Sequence, residues 1–338
     1  MGAQLGFLLV VLAGIATGIY FAGLKLAELW KWENIWLVYA VFALVAMPLA
    51  LALITVPRLA QILAAAPGSA IGHVLLYGVG WGVGSVLSGL GVARMGMALG
   101  VSVLIGIDAA VGTFVPMIIN TPQVAFEKKG LMVILAVATL LIGVTVAGWA
   151  GKRRERDQAG SQKPAQQGAF SSGLTICIFS GIFSAMMNFA FAFSQPISNA
   201  AIHLGASPSS GLNVVWLITL AGGFIPNLVY TGYLLTHNQT WSAFSIARSW
   251  PGWFVGLGMA AVWFIGLLFY GRGAAAMGDL GAVIGWPLFM AVLIIASTAT
   301  GFATGEWKGT SSGARKWMGA AMCILILASA LLGIANRV

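Results

Sequence analysis

Long apolar segments recur along almost the whole chain and are separated by short polar connections. A helix needs roughly 20 apolar residues to cross a bilayer core of about 30 Å, and these segments have that length. The shorter alternating segments that a closed transmembrane barrel requires do not fit this pattern. The sequence therefore predicts an all-α integral membrane protein with ten transmembrane helices, at residues 3–24, 34–56, 70–91, 96–118, 130–150, 172–194, 213–235, 250–271, 279–302 and 316–335.

The longest polar stretch lies near the centre of the chain and reads GKRRERDQAGSQKPAQQGAFS at 151–171. Its composition is typical of a solvated linker. It divides the chain into a five-helix segment at 1–150 and another at 172–338. Two related halves with an odd number of spans must have opposite orientations in the membrane, so we expect two inverted five-helix repeats.

Weak similarity between the two halves agrees with this expectation. Gly14-Ile15 aligns with Gly181-Ile182, and Thr17 aligns with Ser184. The N-terminal apolar segment is interpreted as a retained first span and not as a signal peptide, because it lacks a basic leader and many further apolar segments follow.

Composition excludes several classes of protein. The 338 residues are 59% hydrophobic and 7% charged, whereas a soluble protein is about 25% charged. A soluble enzyme, a disordered chain and a nucleic-acid binder are therefore excluded. The chain contains 2 cysteines, both in apolar segments, and no P-loop or HExxH motif. We expect no metal site, no cofactor and no enzymatic activity.

The net charge of +9 predicts the orientation of the helices, because lysine and arginine concentrate in cytoplasmic connections. Five basic residues lie in the even-numbered connections or at the C-terminus: Arg58, Lys128, Lys129, Arg272 and Arg337. Twelve lie in the odd-numbered connections, which are therefore predicted to be cytoplasmic, with both termini outside: Lys25, Lys31, Arg94, Lys152, Arg153, Arg154, Arg156, Lys163, Arg248, Lys308, Arg315 and Lys316.

One carboxylate stands inside an apolar segment. Asp108 lies about twelve residues into the fourth predicted span, near the middle of the bilayer. Burial there disfavours the charged form of the carboxyl group, and an ionisable residue inside a span is by default a functional candidate. We predict that Asp108 is a proton-coupling group. The alternative is a structural aspartate that is hydrogen-bonded or paired inside the bundle.

The third predicted span carries a polar and aromatic stripe. His73, Tyr77 and Trp81 recur every four residues and so share one face of a helix, which Ser85 continues. Glycines at 78, 80, 82 and 84 indicate close approach of another helix or a ligand. Aromatic faces suit the C–H groups of a sugar ring or other apolar groups, and hydroxyl groups can orient a ligand, so the stripe is predicted to line a substrate cavity. The alternative is a packing face with an interfacial aromatic belt.

The sixth predicted span has a matching stripe of Ser180, Ser184, Asn188 and Gln195. An asparagine amide in hydrocarbon must find partners within the protein, so Asn188 is expected to face the interior. Two roles remain open for it: bonding helices to one another, or binding a substrate hydroxyl group. Trp263 and Trp286 are further candidates for the wall of the substrate site.

Three segments carry a resemblance to a known family: SGIFSAMMNFAFAFSQPI at 180–197, GVARMGMALGVSVLIGI at 91–107 and TGEWKG at 304–309. With ten spans in two halves, the chain resembles the bacterial L-rhamnose–proton symporters of the drug/metabolite transporter superfamily. The resemblance implies a 5+5 inverted-repeat bundle in the inner membrane. It implies import of L-rhamnose or a related monosaccharide with protons. The role of Asp108 rests on its position and not on the resemblance.

Two other functions stay open at this point. An exporter of small metabolites or drugs, as elsewhere in the superfamily, would prefer amphipathic substrates. A membrane-embedded scaffold or sensor would show no transport at all. Proton-driven import of a sugar is the favoured interpretation, with the lipid bilayer, the sugar and protons as the partners.

Overall fold

The computed structural model describes residues 2–20, 22–23, 30–159, 167–245 and 249–337, and all regular structure in these ranges is helical. We number the ten principal helices in chain order. Their bounds are Ala3–Ile19 (α1), Trp32–Thr55 (α2), Gly68–Met95 (α3), Met97–Asn120 (α4), Lys128–Ala159 (α5), Gln167–Ser184 continued by Met186–Ala192 and Gln195–His203 (α6), Pro208–His237 (α7), Trp250–Ala276 (α8), Gly281–Ala303 (α9) and Ser312–Ala335 (α10). Short helical turns in the connections cover Leu59–Ala65, Pro122–Phe126, Trp241–Ser245 and Gly278–Leu280.

Within the described ranges, 9 helices, α2 to α10, are long and apolar enough to cross a membrane. Helix α1 is also apolar, but it has only 17 residues. The prediction of an all-helical membrane protein is confirmed, and helix length supports nine of the ten predicted spans.

Two helices change their geometry along their length. In α2, Pro48 has no N–H group to donate to the carbonyl of Leu44, and the preceding turn, Phe42–Ala46, widens into a π-helix. In α6 the helix is interrupted at Ala185 and again before Gln195. Gln195 therefore begins a new segment with an exposed side chain, and it does not extend the buried face that Asn188 occupies.

Helices from the two halves of the chain pack against one another. Helix α3 lies against α6 and α7, and α8 lies against α1 and α2. Helix α9 contacts α1, α4 and α10, while α5 packs along α4 and α10. The buried core includes the region where α4, α6, α8 and α9 meet.

Glycines in α3 allow its close contact with two neighbouring helices. A Cβ atom at Gly78 would lie 2.0 Å from the carbonyl oxygen of Thr219 in α7, which is far inside contact distance. Gly82 meets the same helix, whereas Gly80 and Gly84 meet α6. The glycines that were predicted to mark a close approach therefore do so on both sides of α3.

The end of α5 extends into the central stretch that the sequence analysis assigned to a linker. Its charged side chains have protein partners in these last turns. Arg154 Nη1 lies 3.1 Å from Glu306 Oε2 in the connection between α9 and α10. Glu155 Oε1 accepts a hydrogen bond from the Ala98 N–H at the start of α4, at 2.9 Å. These contacts hold this part of the stretch as helix.

Replacing Gly78 with alanine tests the packing of α3. We expect Gly78→Ala to lower stability by about 1–3 kcal/mol, because the added methyl group meets a backbone carbonyl that cannot rotate away. Gly89→Ala, on the same helix, is the matched control, since nothing lies within 4 Å of a Cβ at that position. Melting temperatures of the purified proteins in detergent provide the measurement. Equal melting temperatures for the two variants would contradict this account of the packing.

Candidate functional site

Asp108 lies in the interior of the bundle, where α4 faces α9, and is 5% exposed. Its Oδ1 accepts a hydrogen bond from the indole Nε1 of Trp286 at 3.0 Å, and the same N–H lies 3.2 Å from the Asp108 carbonyl oxygen. Gly112, one turn further along α4, leaves room for the indole ring, because a Cβ there would lie 2.3 Å from Nε1. The predicted proton-coupling residue and one predicted wall residue are therefore in direct contact.

The carboxylate of Asp108 has few partners. Among the described residues, no lysine, arginine or histidine forms an ion pair with it, and Oδ2 accepts no hydrogen bond. Its one side-chain donor is the neutral indole. A buried carboxylate without a cation is strongly destabilised in its charged form, and this is the physical basis for regarding Asp108 as a candidate proton-binding group.

Asn188 connects four helices at one buried point. Its Nδ2 donates hydrogen bonds to the carbonyl oxygens of Gly112 in α4, at 2.8 Å, and Ala282 in α9, at 3.1 Å. Its Oδ1 accepts a hydrogen bond from the hydroxyl group of Tyr270 in α8. The Gly112 carbonyl is available because Pro116, four residues later, has no N–H group to donate to it. In this conformation the amide therefore bonds helices to one another.

Tyr270 is a site residue that the sequence analysis missed. Its ring centroid lies 5.4 Å from that of Trp286 and 5.3 Å from that of Phe289, and its side chain is buried. A buried tyrosine hydroxyl needs a partner, and Asn188 provides it. The available signal was the spacing on α8, because Tyr270 follows Trp263 by seven residues and so lies on the same face of the helix.

Asp108, Asn188, Tyr270, Trp286 and Phe289 are together called the first cluster. Trp81 and Trp263 form a second aromatic cluster. Their rings stack with centroids 5.6 Å apart, and Tyr39 of α2 meets Trp263 edge-on at 5.9 Å. Trp36 packs against Tyr39 at 4.8 Å, and its Nε1 donates a hydrogen bond to Asn227 Oδ1 in α7 at 2.9 Å. This cluster joins the first half of the chain to α7 and α8.

The predicted stripe on α3 divides among three environments. Trp81 enters the second aromatic cluster, as described above. Tyr77 is half-buried, and its ring lies 5.9 Å from that of Phe189 in α6. His73 is exposed near the start of α3 and joins neither cluster. The structure thus brings Asp108 and Trp286 together beside Asn188, and separates them from His73.

The two clusters are chemically suited to a polyhydroxylated molecule. Trp263 and Tyr270 are about 10.5 Å apart along the axis of α8, so the clusters lie in series on one helix. The first offers a carboxyl group, an amide and a phenol, and both offer aromatic faces. Within the described ranges, no group of three or more His, Cys, Asp or Glu residues has the arrangement to hold a metal ion.

Comparison with known proteins shows one family across almost the entire chain. The family model described as L-rhamnose-proton symport protein matches residues 2–337. An L-rhamnose-proton symporter of Escherichia coli (strain ATCC 8739) is 27% identical over 331 residues, which is 96% of this chain and 95% of the relative. The protein of the same description from Shigella flexneri is 27% identical over 333 residues, with the same shares covered (96% and 95%). The one from Salmonella dublin is 26% identical over 333 residues, again covering 96% and 95%.

Removing the amide of Asn188 tests its role in joining the helices. We expect Asn188→Ala to lower stability by about 1–3 kcal/mol for each buried group left without a partner. Tyr270→Phe removes only the hydroxyl group and should have a smaller effect. Asn120→Ala is the control, because its amide makes one exposed hydrogen bond, to the Ala192 carbonyl. Thermal unfolding in detergent measures the effect, and an Asn188→Ala protein as stable as Asn120→Ala would contradict the assignment.

Proposed function

We infer that this chain is a secondary transporter that imports a sugar together with protons, because it belongs to the L-rhamnose-proton symport protein family. The family consists of symport proteins, so the chain is a transporter and not an enzyme. Relatives that match 96% of the chain are named L-rhamnose-proton symporters, and we propose L-rhamnose or a closely related monosaccharide as the substrate. None of these relatives favours the alternative of a metabolite or drug exporter.

We propose that α1 is a tenth transmembrane span. Its contacts support this proposal, because α1 packs along both α8 and α9. A Cβ at Gly14 would lie 2.7 Å from Val292 Cβ, and a Cβ at Gly18 would lie 2.6 Å from Ala296 Cβ. A helix in such close contact with two spans along its length shares their environment.

The helix contacts also support an inverted repeat, with 1–150 and 172–338 as the halves and 151–171 between them. Adding five to the number of a helix in the first half relates it to its proposed equivalent. The contact between α3 and α6 then corresponds to the contact between α8 and α1. The contact between α3 and α7 corresponds to the contact between α8 and α2. In the same way, α4 with α5 corresponds to α9 with α10. Transporters built from inverted repeats place the substrate between the halves, near the bilayer midplane. Membership of the drug/metabolite transporter superfamily is part of the same proposal.

The observation that carries the coupling mechanism is the isolated carboxylate of Asp108. Binding of a proton would remove a buried charge and so lower the free energy of conformations in which the site is closed to water. A proton and a sugar would then cross together, since the closed state is favourable only when Asp108 is neutral. We propose this residue as the proton-binding group of the symporter.

The sugar is proposed to bind beside Asp108. Its hydroxyl groups would replace the hydrogen bonds that Asn188 makes to Gly112, Ala282 and Tyr270, while Trp286 provides an aromatic face. Trp81 and Trp263 would line the route of the sugar through the bundle, on one side of this binding site. Tyr77 and the exposed His73 lie towards the start of α3, which the predicted orientation places outside, so we propose that they meet the sugar at the entrance.

The excess of basic residues supports an orientation with the odd-numbered connections in the cytoplasm and the protein in the bacterial inner membrane. Lys25, Lys163 and Arg248, which contribute to that excess, lie outside the described residues, as do residues 160–166 of the central stretch. Without these three residues, the odd-numbered connections still hold nine basic residues against five. The orientation therefore remains the favoured one on charge alone.

Asp108→Asn tests the coupling role in proteoliposomes. We expect loss of labelled L-rhamnose uptake driven by a pH gradient, with a decrease of at least about 100-fold for a group that transfers the proton. Counterflow with internal unlabelled sugar should persist, because exchange requires no net movement of protons. Asp279→Asn is the matched control, since Asp279 is exposed in the turn before α9. Intact proton-driven uptake by Asp108→Asn would rule out the coupling assignment.

Reporter fusions test the orientation. A reporter that is active only outside the cytoplasm should give a signal when it is fused after Val338, and none when it is inserted next to Gly309. The two positions lie on opposite sides of the membrane if α10 crosses it. The excess of basic residues predicts that Gly309 is on the cytoplasmic side. A cytoplasmic signal after Val338 would reverse the proposed orientation.

A further inference from the structure

Two carboxylates are buried in the described part of the chain, and the second is Glu33. Glu33 lies in the first turn of α2 and is 5% exposed. Its Oε1 accepts a hydrogen bond from Asn238 Nδ2 at 2.8 Å and another from Thr240 Oγ1 at 3.2 Å. The neighbouring Asn34 donates from Nδ2 to the Thr240 carbonyl at 2.9 Å. These bonds join the start of α2, in the first half, to the end of α7, in the second.

The hydrogen bonds at Glu33 can form without a net charge, although a carboxylate accepts them more strongly than a neutral group does. Both donors to its carboxylate are neutral, and a glutamine oxygen would accept the same hydrogen bonds without the desolvation of a buried anion. Among the described residues, Glu33 forms no ion pair. A buried carboxylate that lies where helices from the two halves meet is a candidate functional group.

Few other ionisable groups face Glu33 from the elements packed around it. Lys31 precedes α2 and is exposed. His237, at the end of α7, is also exposed, and its Nδ1 lies 3.3 Å from Asn238 Oδ1. Helix α8 carries no titratable side chain before Tyr270. Three charged residues of the adjoining connections lie outside the described residues: Lys25, Glu28 and Arg248.

The contact between α2 and α7, which we call the α2–α7 seam, holds two buried polar atoms without a partner, Asn34 Oδ1 and Thr231 Oγ1. Thr231 lies four residues after Asn227, which bonds to Trp36 of α2, and seven before Asn238, which bonds to Glu33. It is therefore on the stripe of α7 that faces α2. Unpaired buried polar atoms are sites where ordered water binds. The polar side chains of Asn227, Thr231 and Asn34 therefore lie along the α2–α7 seam, between the second aromatic cluster and Glu33.

We propose that Glu33 is a second proton-binding group of the transport cycle, at the end of the α2–α7 seam on the side of the odd-numbered connections. This proposal rests on the proposed function as a proton symporter. As the site begins to open to that side, the Glu33 carboxylate takes up the proton that Asp108 releases through water in the seam, and becomes a neutral carboxylic acid. It then returns the proton to the cytoplasmic solution.

The same step changes the contact between the halves. A neutral carboxyl group is a weaker acceptor than a carboxylate, so protonation weakens the hydrogen bonds from Asn238 and Thr240. The ends of α2 and α7 then separate more readily, and release of the proton restores the contact. Glu33 thereby links proton release to the opening and closing of this side.

Glu33→Gln separates proton binding from hydrogen bonding. In proteoliposomes, we expect counterflow of labelled L-rhamnose to persist, while uptake driven by a pH gradient falls by at least about tenfold, as when a proton-transfer step loses its acceptor. The matched control is Thr240→Val, which removes one hydrogen bond and keeps the carboxylate. It should change the rate of counterflow and preserve proton-driven uptake. Glu155→Gln, at a carboxylate on the same side that is not buried, should behave as wild type.

Two results would overturn the proposal. Wild-type behaviour of Glu33→Gln in both assays would show that Glu33 only accepts hydrogen bonds, and loss of counterflow in the folded variant would show a structural need for the charge. If Glu33→Gln does not fold, Glu33→Asp decides: a shifted pH profile of driven uptake supports the proposal, and an unchanged profile overturns it. Failure of proton-coupled uptake in the wild type would instead contradict the proposed function itself.

Discussion

The interaction on which the interior depends is the set of hydrogen bonds made by the Asn188 side chain to α4, α8 and α9. In a protein surrounded by hydrocarbon, a buried polar group without a protein partner is strongly destabilising. Pro116 leaves the Gly112 carbonyl without its helical donor, and Asn188 supplies one. Gly112 in turn admits the Trp286 indole, which donates to Asp108. The proton-binding candidate is thus positioned by the same contacts that join the helices.

This arrangement explains how a sugar and a proton become coupled in the proposed transporter. The hydrogen bonds of Asn188 join the helices of the interior, and the hydroxyl groups of a sugar are of the kind that would replace them. In the proposed mechanism, Asp108 favours closure of the interior only when it is neutral. Glu33, in turn, sits where α2 and α7 meet at one end of the bundle. On this proposal, protonation of Asp108 controls closure in the middle of the bundle, and protonation of Glu33 controls opening at one end.

The length of the apolar segments was sufficient to predict nine membrane-spanning helices, because membrane spans are set by length and hydrophobicity. The same segments also identified the buried Asp108 and Asn188, whose chemistry conflicts with an apolar segment. Tyr270 was missed because its role depends on Asn188, which lies 82 positions away in the sequence, and the spacing from Trp263 alone indicates only a shared helix face. Glu33 was missed because its burial depends on residues 205 and 207 positions away, Asn238 and Thr240. The helical end of α5 was missed because its charged residues resemble a solvated linker until Glu306 and Ala98 are brought beside them.

The most direct test of the central claim is to measure sugar and proton flux together in proteoliposomes that contain the wild-type protein. With no imposed gradient, addition of external L-rhamnose should make the external solution more alkaline as labelled sugar enters. A protonophore should abolish this pH change while sugar continues to equilibrate. Sugar entry without any movement of protons, or no sugar entry at all, would contradict the account.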